Sequence, residues 1–188
     1  MAPHWPLEPL CRSEEVLMDQ LLFHPKVVHL PLALAVLLPA VAGGLLFAIW
    51  RDWLERRAWV GVVLLQAVLV GSGAVAMNTG ERDEDRVEEV VGEAHVEAHE
   101  EAAEAFVWAS GAVLVLTALP LVFRRERVWK AASLGAFLGT LLVFGFGYRA
   151  GEAGGKLVYE HGAAQAYVGE DGVAARSVHS EDEDRDSD

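Results

Sequence analysis

Four stretches of this chain run for 18 to 21 residues without a charged side chain, and they constrain its fold more than any other feature. A helix needs about 20 apolar residues to cross about 30 Å of hydrocarbon. A chain of 188 residues is too short to bury four such helices in a water-soluble core. The sequence therefore predicts an all-α integral membrane protein built as a four-helix bundle. Its predicted spans are residues 30–50, 58–77, 105–123 and 131–148.

The charged residues lie outside these stretches and divide the chain into three predicted parts. The formal charge is −13, although 53% of the residues are hydrophobic. We predict an N-terminal extension over residues 1–21, a four-helix transmembrane domain over residues 22–165 and a disordered acidic tail over residues 166–188. The tail ends in SEDEDRDSD, which has no apolar side chain to bury. One cysteine, Cys11, excludes an intramolecular disulfide and a thiolate metal cluster.

Two short connections predict the orientation in the membrane. Residues 51–57 and 124–130 hold seven Lys and Arg among fourteen residues, and the other eight are spread over longer segments. Loops with this density of positive charge face the cytoplasm. We therefore expect a multi-pass protein of a prokaryotic plasma (inner) membrane. Both termini, and the loop between spans two and three, face outward.

The loop between spans two and three is acidic and helix-forming. It follows the turn signal Asn78-Thr79-Gly80, and residues 81–104 hold eleven acids among many Ala and Val. We expect one helix running from about residue 84 into span three. At 100° per residue, His95, His99 and Glu88 fall on a stripe of small residues that faces the bundle, whereas most glutamates face water.

Five histidines converge on the outward face, because the number of crossings between them is even. A pair four residues apart on a helix can chelate one metal ion, and a carboxylate two turns away can add a ligand or orient one. Two candidate sets follow. A haem b site uses His29 with His95 or His99 as axial ligands and includes His161, while an iron, copper or zinc site uses His24, His95, His99, His161 and Glu88.

Two other classes of function stay open beside a cofactor site. In an accessory or structural membrane protein, the same histidines bind no cofactor and hydrogen-bond the loops to the helix ends. A transporter is the least favoured class, because the spans contain no charged residue. The sequence has no nucleophile motif, phosphate loop or basic nucleic-acid patch, so soluble-enzyme chemistry is disfavoured and any enzymatic role would be that of a membrane redox subunit.

Three motifs resemble those of a known family. They are HPKVVHLPLAL at the start of span one, the Thr-Gly closing span two, and GYRAGEAGGKLVYEHG after span four. Over about residues 22–165 the chain resembles the small four-helix prokaryotic membrane proteins known as domain of unknown function twenty-two thirty-one. The acidic insertion over residues 81–93 departs from the compact members of that family.

The resemblance implies a context more than an activity, since the family has none assigned. Some members are fused to cytochrome c modules, which implies a redox or respiratory setting and a cytochrome or another respiratory protein as partner. His24, His29, Tyr159 and His161 match the recurring positions of the family, and one of His95 and His99 matches a further one.

Overall fold

The computed structural model describes residues 23–82, 84–123 and 125–167, and within these ranges the chain forms helices and no strand. The predicted N-terminal extension and the predicted tail from residue 168 onward lie outside the described residues. Six α-helices follow one another: α1 Phe23–Val27, α2 His29–Trp50, α3 Val60–Gly80, α4 Glu84–Val91, α5 Glu93–Val122 and α6 Glu126–Tyr159. Two 3-10 helices, Arg56–Trp59 and Ala163–Tyr167, precede α3 and follow α6.

Helices α2, α3, α5 and α6 are long and apolar enough to cross a membrane. Helix α2 has 22 residues and is about 33 Å long, close to the thickness of the hydrocarbon layer. Helices α5 and α6 have 30 and 34 residues and extend well beyond it. The predicted all-α four-helix bundle is therefore confirmed, and the chain is a multi-pass membrane protein.

The four long helices form an antiparallel ring. Helix α2 packs on α3 and α6, and α5 also packs on α3 and α6, with the α5–α6 interface the most extensive. The bundle has two ends. The histidine end contains the start of α2 and α5 and the end of α3 and α6, together with α1 and α4. The basic-loop end contains the connection over residues 51–55 and the connection between α5 and α6.

Small residues set the distance between neighbouring helices. A Cβ atom on Gly139 would lie 3.0 Å from a Val113 methyl group on α5, and one on Gly147 would lie 3.1 Å from the Phe106 ring. The α5–α6 backbones therefore approach closely, as small residues allow in membranes. By contrast, Gly61, Gly71, Gly135 and Gly155 face open space, so glycine spacing alone does not identify the interface.

A tryptophan stabilises α5 near its internal proline. Pro120 has no N–H to donate to the preceding turn, and in a membrane a neighbour must satisfy the carbonyls of a helix interrupted in this way. The buried indole of Trp59 donates a hydrogen bond of 3.0 Å to the carbonyl of Thr117, next to the Leu116 carbonyl that Pro120 leaves without a backbone donor. Trp59 also packs edge-on against Trp129, with ring centroids 6.3 Å apart.

The predicted helical extension of span three is interrupted at Gly92. Its φ of +85° lies in the left-handed region that glycine adopts without steric cost. Gly92 N–H closes α4 by donating to the carbonyl of Glu88 at 2.9 Å, and α5 then begins at Glu93. Helix α4 packs on α5 and on the 3-10 helix at residues 163–167. Because the backbone at Gly92 is not helical, α4 and α5 are separate helices. The predicted stripe joining Glu88 to His95 and His99 therefore does not exist as one helical face.

Candidate metal centre

His24 is held at the histidine end by two groups on α3. Its Nδ1 lies 2.9 Å from the carbonyl oxygen of Ala76 and 3.1 Å from Thr79 Oγ1. The Thr79 hydroxyl itself donates to the same carbonyl at 2.8 Å. A carbonyl oxygen only accepts, so Nδ1 carries the hydrogen in this contact. In the neutral imidazole Nε2 then keeps a free lone pair, which is the form in which histidine ligates a metal.

His99 approaches His24 from α5 and is the least satisfied of the five imidazoles. Its Nδ1 is buried and has no hydrogen-bond partner among the described residues. The ring hydrogen-bonds the backbone of Ala150 on α6 and lies within electrostatic reach of His24. A buried nitrogen without a partner costs about 1 to 3 kcal/mol, so a water molecule or another bound species is expected to satisfy it.

Two glycines make room for these rings. A Cβ atom on Gly80 would lie 3.1 Å from Cε1 of His24, and one on Gly154 would lie 3.1 Å from Cε1 of His99. The Thr-Gly that closes α3 and the Gly-Gly near the end of α6 therefore pack directly against the two histidines. The sequence marked the Thr-Gly as a turn signal, but it gave no indication that either glycine contacts an imidazole.

His95 forms a second pair with His161. Their ring centroids are 3.9 Å apart and the ring planes are tilted by 36°. Nδ1 of His95 donates to the Val91 carbonyl at 3.0 Å, which again leaves Nε2 as a lone pair when the ring is neutral. His95 is exposed and His161 is half-buried, so this pair faces water more than the first pair does.

The other two predicted ligands lie apart from these pairs. His29 is exposed at the first residue of α2. Glu88 is half-buried on α4, and partial burial together with the carboxylates of Glu84 and Glu93 raises the pKa of Glu88 above its ordinary value. Within the described residues, no three His, Cys, Asp or Glu side chains form a group that could hold a metal ion. The predicted ligands therefore form two pairs instead of one cluster.

The first pair, His24 and His99, shares a feature with metal-binding histidines, whose second ring nitrogen is held by the protein. Metal-binding histidines generally donate their other ring N–H to a carbonyl or carboxylate, which fixes the tautomer and the ring orientation. His24 has this arrangement through Ala76, and the Nδ1 of His99 is buried without a competing partner. Haem ligation by His29 is less compatible with the structure, because His29 is exposed and His95 stacks on His161.

Comparison with known proteins gives no match to a family model, a curated protein or a solved structure. The resemblance described above stays a prediction carried by its motifs.

Proposed function

We propose that this membrane protein binds a transition-metal ion at the histidine end, with His24 and His99 as its protein ligands. The observation that carries the proposal is the buried Nδ1 of His99, which has no partner among the described residues and lies within electrostatic reach of His24, whose own Nδ1–H is held by α3. The cofactor is an ion of the kind that imidazole prefers, such as copper, iron or zinc.

Two imidazoles leave room in the coordination sphere. Zinc sites that bind substrate or water have three protein ligands and an open position, whereas closed structural sites have four. A site built on His24 and His99 takes its remaining ligands from water or from another molecule. Such an ion is accessible and exchangeable, which suits a role in handling a metal or in redox chemistry more than a purely structural role.

The proposed context is a respiratory or redox system of a prokaryotic plasma membrane. Dense positive charge in the short connections supports an orientation with the basic-loop end in the cytoplasm and the histidine end outside. The metal would then face the compartment in which exported cytochromes act. A cytochrome or another respiratory protein is the proposed partner, as the family resemblance implies.

A second candidate function is that of an accessory protein without a cofactor. One observation favours it: the hydrogen bonds of His24 to Ala76 and Thr79 tie α1 to the end of α3 whether or not an ion is present. In this interpretation the histidines connect helix ends and contribute to the stability of the bundle only through their hydrogen bonds.

The two candidate functions are distinguished by variants that keep the hydrogen bond of an imidazole but remove its metal-binding nitrogen. Asn at position 24 places an amide N–H close to the position of Nδ1, so His24→Asn keeps the contact with the Ala76 carbonyl and removes Nε2. We expect His24→Asn and His99→Gln each to weaken binding of Cu²⁺ or Zn²⁺ by more than about 100-fold, which exceeds the loss typical of changes outside the ligand shell. The exposed His29 provides the control variant His29→Gln, which should bind as the unmodified protein does.

The measurement is a competition titration against a chelator of known affinity, made on full-length protein in detergent. A reduced-minus-oxidised absorption spectrum of the same sample tests for haem b. Metal affinity that is unchanged in both His24→Asn and His99→Gln, with a normal melting temperature, contradicts the metal proposal and supports the accessory role. A Soret band that disappears in His29→Gln would replace the ion with haem.

A further inference from the structure

A groove opens at the basic-loop end, opposite the histidines. It has a volume of about 450 Å³ and is lined by Trp50 at the end of α2 and by Lys130, Ala131 and Leu134 near the start of α6. Trp50 is 43% exposed and Leu134 is 40% exposed, so the groove presents an apolar surface at the boundary of the membrane-spanning helices. Apolar surface at this depth contacts lipid.

One cationic side chain lines this groove, and two more lie close to its lining residues. The Lys130 ammonium lies in its wall, Arg51 follows Trp50 in the chain, and Arg56 contacts Trp129, the neighbour of Lys130. Arg51 lies over the Trp53 ring at 5.9 Å, and Arg56 lies over the Trp129 ring at 5.2 Å. Cation–π contacts of this length favour one orientation of the charged group.

The acidic residues nearby offset only part of this charge. Lys130 donates to Glu126 at 2.7 Å, and Arg57 pairs with Glu55 at 3.1 Å. The Glu126 carboxylate also interacts electrostatically with Arg56. An ammonium group has three donors, and Glu126 uses one of them. Lys130 therefore keeps donors for a phosphate oxygen, with Arg51 and Arg56 adding positive potential.

We propose that this groove binds one anionic phospholipid of the adjacent leaflet. The phosphate lies at Lys130, and an acyl chain follows Trp50 and Leu134 toward the membrane interior. A zwitterionic lipid offers the same chains but its cationic headgroup opposes the basic residues, so charge selects the occupant. This inference concerns the opposite end of the bundle and does not depend on the proposed metal.

Native mass spectrometry of the full-length protein in detergent tests the proposal, with phosphatidylglycerol and phosphatidylcholine titrated separately. We expect one tightly retained phosphatidylglycerol. The charge of a single basic residue strengthens the binding of an anionic lipid. Lys130→Gln should therefore weaken the binding of phosphatidylglycerol about fivefold. Ala131→Trp fills the groove and should prevent retention without changing charge.

Lys156→Gln is the matched control, because Lys156 lies on the same helix, pairs with Glu152 at 2.9 Å and sits at the histidine end. It should retain phosphatidylglycerol as the unmodified protein does. Equal retention of the two lipids, unchanged binding in both groove variants, or equal weakening by Lys156→Gln overturns the proposal. Displacement of the lipid by glycerol phosphate alone would also overturn it, since the groove would then bind only a phosphate. If Lys130→Gln aggregates, Lys130→Met replaces it under the same expectation.

Discussion

At the histidine end, single residues determine where each imidazole can lie. The ring of His24 is fixed by a carbonyl and a hydroxyl on α3, while His99 packs on Gly154 and hydrogen-bonds the backbone of Ala150. Such hydrogen bonds set the tautomer as well as the ring position. His99 thus has a defined place and a ring nitrogen without a partner among the described residues, the combination expected of a metal ligand.

Adjacent glycines on α6 allow a direct test of this packing. In Gly154→Ala the new methyl group would lie 3.1 Å from His99, so the ring must move. We expect the variant to bind metal more weakly and to lose about 1 to 3 kcal/mol of stability, the usual cost of overpacking. Gly155 faces open space, and Gly155→Ala should leave metal binding unchanged and stabilise the helix by about 0.5 to 1 kcal/mol. Thermal unfolding and chelator competition on both variants provide the comparison, and equal behaviour of the two would contradict the packing account.

At the scale of helices, the irregular points of α5 have identifiable causes. Its N-terminal boundary is set by the positive φ of Gly92, and the indole of Trp59 donates to its backbone three residues before the internal proline. Helix α5 packs on α4 and, within the bundle, on α3 and α6.

Loss of the Trp59 donor should destabilise the bundle. Trp59→Phe keeps most of the buried ring but removes the indole donor to the Thr117 carbonyl, for an expected cost of about 0.5 to 1.5 kcal/mol. Trp108 donates to Glu104 at an exposed position, so Trp108→Phe is the control and should change stability by less than about 0.5 kcal/mol. Reversible unfolding in mixed micelles measures both, and a Trp59→Phe protein as stable as the control would show that α5 satisfies this carbonyl without help.

Helix α4 should become more stable as the pH falls. Since burial and neighbouring carboxylates raise the pKa of Glu88 in the folded helix, its ionised form is less favourable there than in the unfolded chain. The penalty is present above the raised pKa and disappears below the ordinary value of 4.5, where both states are protonated.

Glu88→Gln removes this penalty at neutral pH. We expect amide exchange over residues 84–91 to be slower in Glu88→Gln than in the unmodified protein at pH 7, and the difference to vanish near pH 4. The exposed Glu89 on the same helix supplies the control variant Glu89→Gln, which should show a smaller change. A difference between Glu88→Gln and the unmodified protein that persists at pH 4 would mean that charge is not its cause.

At the scale of the whole molecule, the two ends of the bundle carry different kinds of side chain. Among the described residues, the imidazoles and most of the acids lie at one end, and four of the five tryptophans lie with the densest group of basic side chains at the other. This polarity predicts a single orientation, with the basic-loop end in the cytoplasm.

The single cysteine makes the orientation measurable. In intact cells, a maleimide that does not cross membranes should label Cys11, because we expect the N-terminus to face outward. In a Cys11→Ser background, a cysteine introduced by Glu55→Cys in the first basic loop should be labelled only after lysis. The reverse pattern would place the histidine end in the cytoplasm and remove the proposed link to exported cytochromes.

The sequence was sufficient to predict the four spans but did not predict which histidines pair. Uninterrupted apolar runs identify membrane helices because hydrocarbon admits little else, and an even number of crossings places His24, His99 and His161 at one end. Which imidazoles meet depends on the backbone break at Gly92 and on the packing of α1 against α3. Neither has a periodic signature, so a single helical wheel joined Glu88 to His99 wrongly.

X-ray absorption at the edge of the bound metal would show whether His24 and His99 ligate the ion. We expect two imidazole nitrogens at about 2.0 to 2.1 Å if the metal is zinc, with oxygen ligands completing the shell. In His99→Gln one imidazole should be lost, and in His29→Gln neither should be. A metal-free protein after incubation with the ion, or a shell without imidazole, would contradict the metal proposal.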